Sequence, residues 1–310
     1  MAAELVAFGD ISIDVAVRIP HLPLPDEKLW VEIVGDQQGG MGANAAAAFA
    51  ALGGRAALVT AVGNDARGQA AIDDLQRRGV DVSGLVHLDE PSFWTLALLG
   101  DGGEKSLLQF ATPALHVPWD AVDWSILDRA AYAHTVADEG EGNLRLIREA
   151  RSRGVKVSMD FEPTTLDPDL QRELLAGCDV VFATPPAIAS LGGPADPDAA
   201  VSWLLSQGPG IATLTLGRDG CVVATADGDR RRIPGLQVEA VDTTGAGDCF
   251  AGAFVWALTR GRAAGEAALV ANSMAAMSTT AIGSRGRLLS LVELAARPEL
   301  AELHLEDWPR

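Results

Sequence analysis

The chain has 310 residues, 24 of them Lys or Arg against 42 Asp or Glu, for a formal net charge of −18 at pH 7. A charge of that sign repels phosphate backbones and anionic lipid, which counts against nucleic acid and membrane surfaces as partners. Apolar residues make up 48% of the sequence, enough to bury a large core and too many for a disordered chain. The longest apolar runs, such as Ala45 to Leu52, fall far short of the roughly 20 residues that span a bilayer. Met1-Ala2-Ala3-Glu4 lacks the basic flank of a secretory signal. Cys178, Cys221 and Cys249 are too scattered for a disulfide framework or a zinc site. A cytoplasmic enzyme with reduced thiols is the expectation.

Leu5 to Phe8 reads as a buried strand that ends in a turn at Gly9-Asp10. Ile11 to Ile19 continues extended, with Ile11, Ile13, Val15, Val17 and Ile19 on one face, until Pro20, Pro23 and Pro25 break it. Lys28 to Val34 is another short extended run. Gly39-Gly40-Met41-Gly42 then opens an alanine-rich helix over Ala43 to Leu52, closed by Gly53-Gly54. A strand at Ala56 to Val62, a cap at Asn64-Asp65 and a helix over Ala66 to Arg78 follow. Phe93 to Leu99 and Ser106 to Phe110, joined across Gly100 to Gly103, read as a hairpin. Further on, strands are expected at Val155 to Met159, Val180 to Phe182 and Ile211 to Leu216. Helices are expected near Asn143 to Arg153, Leu166 to Ala176, Pro197 to Ser206, Gly247 to Arg260 and Ala263 to Thr279.

This alternation predicts an α/β fold with a mostly parallel sheet covered on both faces. Two stretches, about 12–38 and 91–112, break the rhythm with extended segments. They are expected to pair as a small sheet projecting from one main domain that spans the whole chain.

The most informative stretch is Asp242-Thr243-Thr244-Gly245-Ala246-Gly247-Asp248. Gly245 and Gly247 are expected to let the backbone approach a ligand closely and to take φ angles a side chain would forbid, and the apolar run behind them places the turn at a helix N-terminus. Free N–H groups and the helix dipole there suit an anion whose charge grows during transfer. Asp248 sits inside the turn, where N–H donors keep a carboxylate ionised. Facing an acceptor, it takes a hydroxyl proton; otherwise it is an N-cap. On the residues alone these two readings stand equal.

This stretch resembles the C-terminal signature of the ribokinase (PfkB) family of carbohydrate kinases. Gly39-Gly40-Met41-Gly42-Ala43-Asn44 is similar to that family's N-terminal signature. Gly9-Asp10-Ile11-Ser12-Ile13-Asp14 and Thr215-Leu216-Gly217-Arg218-Asp219-Gly220 match in order. The resemblance covers essentially the whole chain and implies a ribokinase-like doubly wound sheet with a small β lid. It implies transfer of the ATP γ-phosphate to a sugar hydroxyl, usually a primary one. On this resemblance Asp248 is the base and Gly245, Ala246 and Gly247 form the anion hole. Ser12, Asp14, Gly40 and Asn44 contact the sugar. Thr215 and Gly217, Arg218, Asp219 and Gly220 form the nucleotide turn, with Asn272 beside the adenine. Asp242 and Thr244 match positions that hold a monovalent cation such as K⁺, helped by carbonyls from Ala281 to Ser284. An acidic chain that binds ATP relies on Mg²⁺ and local N–H donors.

The chain departs from the family at one place. An Asn-x-x-Glu motif there helps organise Mg²⁺ and phosphates, and the aligned stretch Thr184-Pro185-Pro186-Ala187 carries neither side chain. Asp160 and Glu162, near a strand end, are read first as solvated loop acids and second as a carboxylate near the metal's water shell. The alternatives to a sugar kinase are therefore a nucleoside kinase of the same fold or a binding protein with impaired catalysis. Trp30, Phe93 and Trp94 on the expected lid suit either the sugar ring or a second subunit in a homodimer. Cys249 reads as a buried hydrophobe, Arg67 as a surface residue, and the histidines show no metal-ligand spacing.

Overall fold

The computed structural model describes residues 2–100, 105–163 and 166–309. Residues 101–103 of the expected hairpin connection lie outside that set. In chain order the strands and helices begin with β1 (Leu5–Phe8), β2 (Ser12–Ile19), β3 (Glu32–Gly39), α1 (Met41–Ala51), β4 (Ala56–Gly63) and α2 (Ala66–Arg77). Next come β5 (Asp81–Leu88), β6 (Trp94–Gly100), β7 (Lys105–Phe110), β8 (Tyr132–Val136), α3 (Glu141–Ser152) and β9 (Lys156–Phe161). Then follow α4 (Pro168–Gly177), β10 (Val180–Ala183), α5 (Pro185–Ser190), α6 (Pro197–Ser206), β11 (Ile211–Thr215), β12 (Cys221–Thr225) and β13 (Arg230–Ile233). The chain closes with α7 (Ala246–Thr259), α8 (Ala264–Ser278) and α9 (Leu291–Ala295).

The large sheet has the order β13-β12-β11-β10-β9-β8-β1-β4-β5. It is parallel from β11 to β5, and β12 and β13 extend one edge antiparallel. Alternation along β1 shows how both faces are covered. Leu5 and Ala7 pack with residues of α1, α7 and α8, while Val6 and Phe8 pack with residues of α3, α4 and α6. All four are 0% exposed, so β1 reads as a continuous apolar run, as a strand buried on both faces must. Helices α1 and α7 lie very close together, because Ala45 and Gly252 meet there. A Cβ added to Gly252 would come within 2.2 Å of the Ala45 carbonyl oxygen.

The two irregular stretches supply the small sheet, order β3-β2-β6-β7. It is mixed: β2 pairs antiparallel with β3 but parallel with β6. Strand β3 begins four residues later than the expected run and continues to Gly39, so it leads directly into α1. Both faces of β2 carry cover. Ile13, Val17 and Ile19 are buried, and so are Ser12 and Ala16 on the opposite face. Asp65 ties this sheet to the main unit. It caps α2 through Gly68 N–H (2.8 Å) and also accepts from Ser92 N–H (2.9 Å) and Ser92 Oγ (2.7 Å), just before β6.

Candidate active site

The carboxyl ends of β1, β8 and β9 bring acids to one edge of the sheet, the side where open α/β sheets bind ligands. Asp10 follows β1, Asp138 follows β8, and Asp160 sits near the end of β9 with Glu162 just beyond. Helix α7 points its N-terminus at this edge. Its N-cap, Gly245, has φ +72°, and a Cβ there would come within 2.4 Å of Ser284 Cβ and 3.0 Å of Asn44 Nδ2. Only glycine fits that position. No side chain caps the helix, and the N–H groups of Gly247 and Asp248 have no acceptor among the described residues. Gly247 is exposed and, unlike Gly245, keeps an ordinary helical φ, so the expected special angle is absent there; a Cβ on it would meet only Asp160 Oδ2, at 4.0 Å. This is an open amide turn at a helix N-terminus, suited to an anion.

Asp248 lies in the first turn of α7 and accepts a hydrogen bond from Asn44 Nδ2 at 2.7 Å. Asn44 comes from α1, which starts at Gly40 with φ +100°. A Cβ on Gly40 would strike the Asp10 carbonyl at 2.4 Å, so glycine is required for α1 to start against the end of β1. Asp10 Oδ1 holds that start by accepting from Met41 N–H at 2.7 Å. Asp14 stands on the other side of the same segment, because a Cβ on Gly39 would lie 2.5 Å from Ser12 Oγ and 2.6 Å from Asp14 Oδ2. Asp14 Oδ1 accepts from Thr95 Oγ1 (2.5 Å) and Ser12 Oγ (3.2 Å). The segment 39–44 therefore has Asp14 beside its first residue and Asp248 bonded to its last, residues from opposite ends of the chain. Sequence reasoning did not single out Thr95, although its register opposite Asp14 across β2 and β6 places it there.

Burial pushes the Asp248 carboxyl well above the usual carboxylate range, and Asp160, Asp10 and Glu162 add to the rise while the Asn44 amide opposes it. The sequence reading, in which N–H donors keep this carboxylate ionised, is corrected here: desolvation outweighs the donors. Burial likewise lifts Asp10 to about 6 and Asp160 to about 7. Asp160 is only 7% exposed and lies within β9, so it is not the solvated loop acid that the sequence suggests. The sign for stability follows from the raised value. Between the unfolded carboxylate pKa near 4 and the folded value of about 7, the folded state holds the extra proton. Its stability therefore falls as pH rises through that window. Asp160→Asn is expected to raise Tm at pH 8 by roughly 4 °C and to flatten the decline between pH 5 and 8, read by calorimetry.

The remaining expected residues lie further along. Thr215 ends β11 and donates to the Ala183 carbonyl at 3.4 Å. Gly217, Arg218 and Asp219 form an exposed turn, and Gly220 (φ +90°) passes so close to the Ile233 carbonyl that no side chain fits. Asn272, from α8, donates to the Pro234 carbonyl at 3.0 Å and so fixes the loop after β13. Thr184 caps α5 by accepting from Ala187 N–H, and Ala187 is fully buried. Both oxygens of Asp242 accept: Oδ1 from Thr244 N–H (3.0 Å) and Oγ1 (2.6 Å), Oδ2 from Gly283 N–H (2.9 Å). Among the described residues no group of three His, Cys, Asp or Glu side chains is arranged to hold a metal ion.

Burial raises the Cys249 thiol to about 12, as a buried hydrophobe requires. Phe93 is buried, whereas Trp30 is 99% exposed. Trp94 stacks on Phe110 with centroids 3.8 Å apart, and the exposed Arg67 covers its ring at 4.4 Å.

The chain matches the family described as pfkB family carbohydrate kinase over residues 2–289. It is 31% identical to an ATP-dependent ribose-1-phosphate kinase of Halopiger xanaduensis, covering 81% of this chain and 83% of that protein. It is 28% identical to a nucleoside kinase of Methanothermobacter thermautotrophicus, with 83% of each chain covered. Its fold superposes on the structure of Arabidopsis thaliana ribokinase complexed with ribose and ATP, with a TM-score of 0.82, 23% identity and 100% of both chains covered. Signature turns, sheet order and these likenesses agree: the chain belongs to the pfkB family of carbohydrate kinases and is a phosphotransferase with an alcohol group as acceptor.

Proposed function

We propose that this protein transfers the γ-phosphate of ATP to a hydroxyl of a sugar, a primary one by the family resemblance. The observation that supports this reading is the pair of acids gathered around segment 39–44. Asp248 and the open amides of Gly247 and Asp248 lie on one side of segment 39–44, and Asp14 with its two hydroxyl donors lies on the other. In this reading Asp14, Ser12 and Asn44 orient the sugar, with Gly40 giving the backbone room. Asp248 takes the acceptor's proton as the phosphoryl group moves, and the turn Gly245-Ala246-Gly247 receives the developing charge. Thr215 and residues 217–220 line the nucleotide side, with Asn272 behind them.

Mg²⁺ bound with ATP would neutralise phosphate charge at an edge already lined by Asp10, Asp160 and Glu162. The family's Asn-x-x-Glu side chains are missing, so Asp160, opposite Gly247, is the buried carboxylate placed to accept from the water shell of such an ion. Asp242 and Thr244 are bonded to each other and to the 283 loop, and this fits a turn organiser as well as a K⁺ site.

The small sheet, formed from about 12–38 and 91–112 on a single-domain body, acts in this reading as a lid. One face of its outer strands exposes Ile33 (73%), Leu108 (49%) and Phe110 (41%). A second copy of the chain covering that surface would make a homodimer. The three free, buried cysteines suit a reducing cytoplasm.

A coupled ADP-release assay over a panel of sugars, sugar phosphates and nucleosides tests the reading. Turnover with a free sugar supports it. Turnover with nucleosides alone replaces it by the nucleoside-kinase reading that the archaeal relative favours. Sugar binding without turnover leaves a protein of impaired catalysis.

A further inference from the structure

The loop between α8 and α9 runs alongside the last three residues of β3. Gly283 faces the Gln37 side chain so closely that an added Cβ would lie 2.4 Å from its Oε1. Ser284 Oγ is 2.7 Å from the Gln38 carbonyl oxygen, and Arg285 Nη2 donates to the Gly39 carbonyl at 3.1 Å. The same Ser284 Oγ is 3.0 Å from Asn44 Oδ1, and the other end of that amide donates to Asp248 at 2.7 Å. The loop is also tied to the approach to α7. Gly283 N–H donates to Asp242 Oδ2, and Cys249 Sγ to the Ser284 carbonyl. Ser284 and Arg285 are 1% and 2% exposed. Arg285 is further held by an ion pair to Asp74 of α2 at 3.6 Å.

A hydroxyl carries one proton, yet Ser284 Oγ has two acceptors within reach. One is the root of the small sheet and the other is the amide that faces Asp248. We propose that Ser284 is a positioning residue that couples the position of the small sheet to the orientation of Asn44 against Asp248. With Gln38 at 2.7 Å its carbonyl is the nearer acceptor. A movement of β3 that draws Gln38 away leaves the proton to Asn44 Oδ1, and this locks Nδ2 toward the carboxylate. Closure over an acceptor would then firm up the base at the moment it is needed. The inference rests on the sugar-kinase reading for that consequence, but the linkage itself is a property of the free protein. The charged groups that face Asp248 are Asp10 after β1 and Asp160 and Glu162 from β9 and its end, all acidic. The Asn44 amide is thus the neighbour that opposes them.

The first measurement uses the ligand-free protein. Carboxyl-carbon NMR follows the titration of Asp248, its signal assigned by Asp248→Asn. Even with Gln38 nearer, the hydroxyl lies 3.0 Å from Asn44 Oδ1 and spends part of its time donating there. Ser284→Ala removes that share, so Asp248 loses its oriented donor for part of the time. Its midpoint is expected to move up by about 0.5–1 pH unit. Ser284→Thr keeps the hydroxyl and is expected to restore the original midpoint. Arg285→Lys weakens the hold on Gly39 while sparing the Ser284 hydroxyl, so it is expected to lower Tm and leave the midpoint in place. In the ADP-release assay, the acid limb of kcat for Ser284→Ala should shift with the midpoint while the ATP KM stays within about twofold. An unmoved midpoint in folded Ser284→Ala overturns the coupling whatever the assay gives. A moved midpoint without turnover on any acceptor sustains the coupling and removes the sugar-kinase reading instead.

Discussion

Asp248→Asn is expected to lower kcat by roughly 10²–10⁴-fold, the range for removing a general base, while ATP binding stays within about twofold. The amide has nearly the size of the carboxyl and can still accept from Asn44, so the 2.7 Å contact that orients α1 against α7 survives. Only the capacity to take a proton is lost. The pH profile sharpens the test. Burial holds the native carboxyl well above its ordinary value, and the base must be ionised to act. The kcat of the native enzyme should therefore climb with pH through a limb above the usual carboxylate range, and the variant should lack that limb. ADP release and calorimetric titration with ATP measure both quantities. An unchanged rate would leave Asp248 only the structural bond to Asn44, since Gly245 and not Asp248 is the N-cap of α7.

Asp14→Ala is expected to reduce kcat/KM for the acceptor by about 10²–10⁴-fold while moving the ATP KM by no more than about twofold. The carboxylate is half-buried, receives Ser12 and Thr95 hydroxyls on Oδ1, and keeps Oδ2 beside Gly39. Two hydrogen bonds from sugar hydroxyls to a charged acceptor contribute about 1.5–3 kcal/mol each, which gives the stated range. Steady-state kinetics with either substrate varied separates the two KM values. Equal losses for both substrates would mean that β2 has lost its place rather than its contact.

Much of the architecture is legible in the primary structure because it rests on local signals. Gly40 and Gly245 mark positions where the backbone takes φ values that side chains resist, and both prove to be helix starts, of α1 and α7. The helix expected at Pro197 to Ser206 matches α6, since its Asp196 cap and first-turn proline are local features. Strands β5, β8, β12 and β13 were not anticipated. In β8 the buried polar residues His134 and Thr135 interrupt the apolar pattern, and β13 is three arginines and an isoleucine on a sheet edge. Strands β5 and β8 pair with β4 and β1 across long stretches of chain, so composition alone does not announce them, whereas β12 and β13 follow β11 antiparallel across short turns.

The site divides in the same way. Signature residues from 39–44 and 242–248 can be recognised in the one-dimensional string, because their spacing encodes a turn followed by a helix. Their chemistry cannot. Whether Asp248 is charged depends on how much solvent the surrounding strands exclude and on the carboxylates that β1 and β9 deliver nearby. Thr95 on Asp14 and Ser284 between Gln38 and Asn44 likewise exist only once residues far apart in the chain are packed together. Backbone geometry is a property of a few consecutive residues, whereas desolvation and shared protons are properties of an assembled interior.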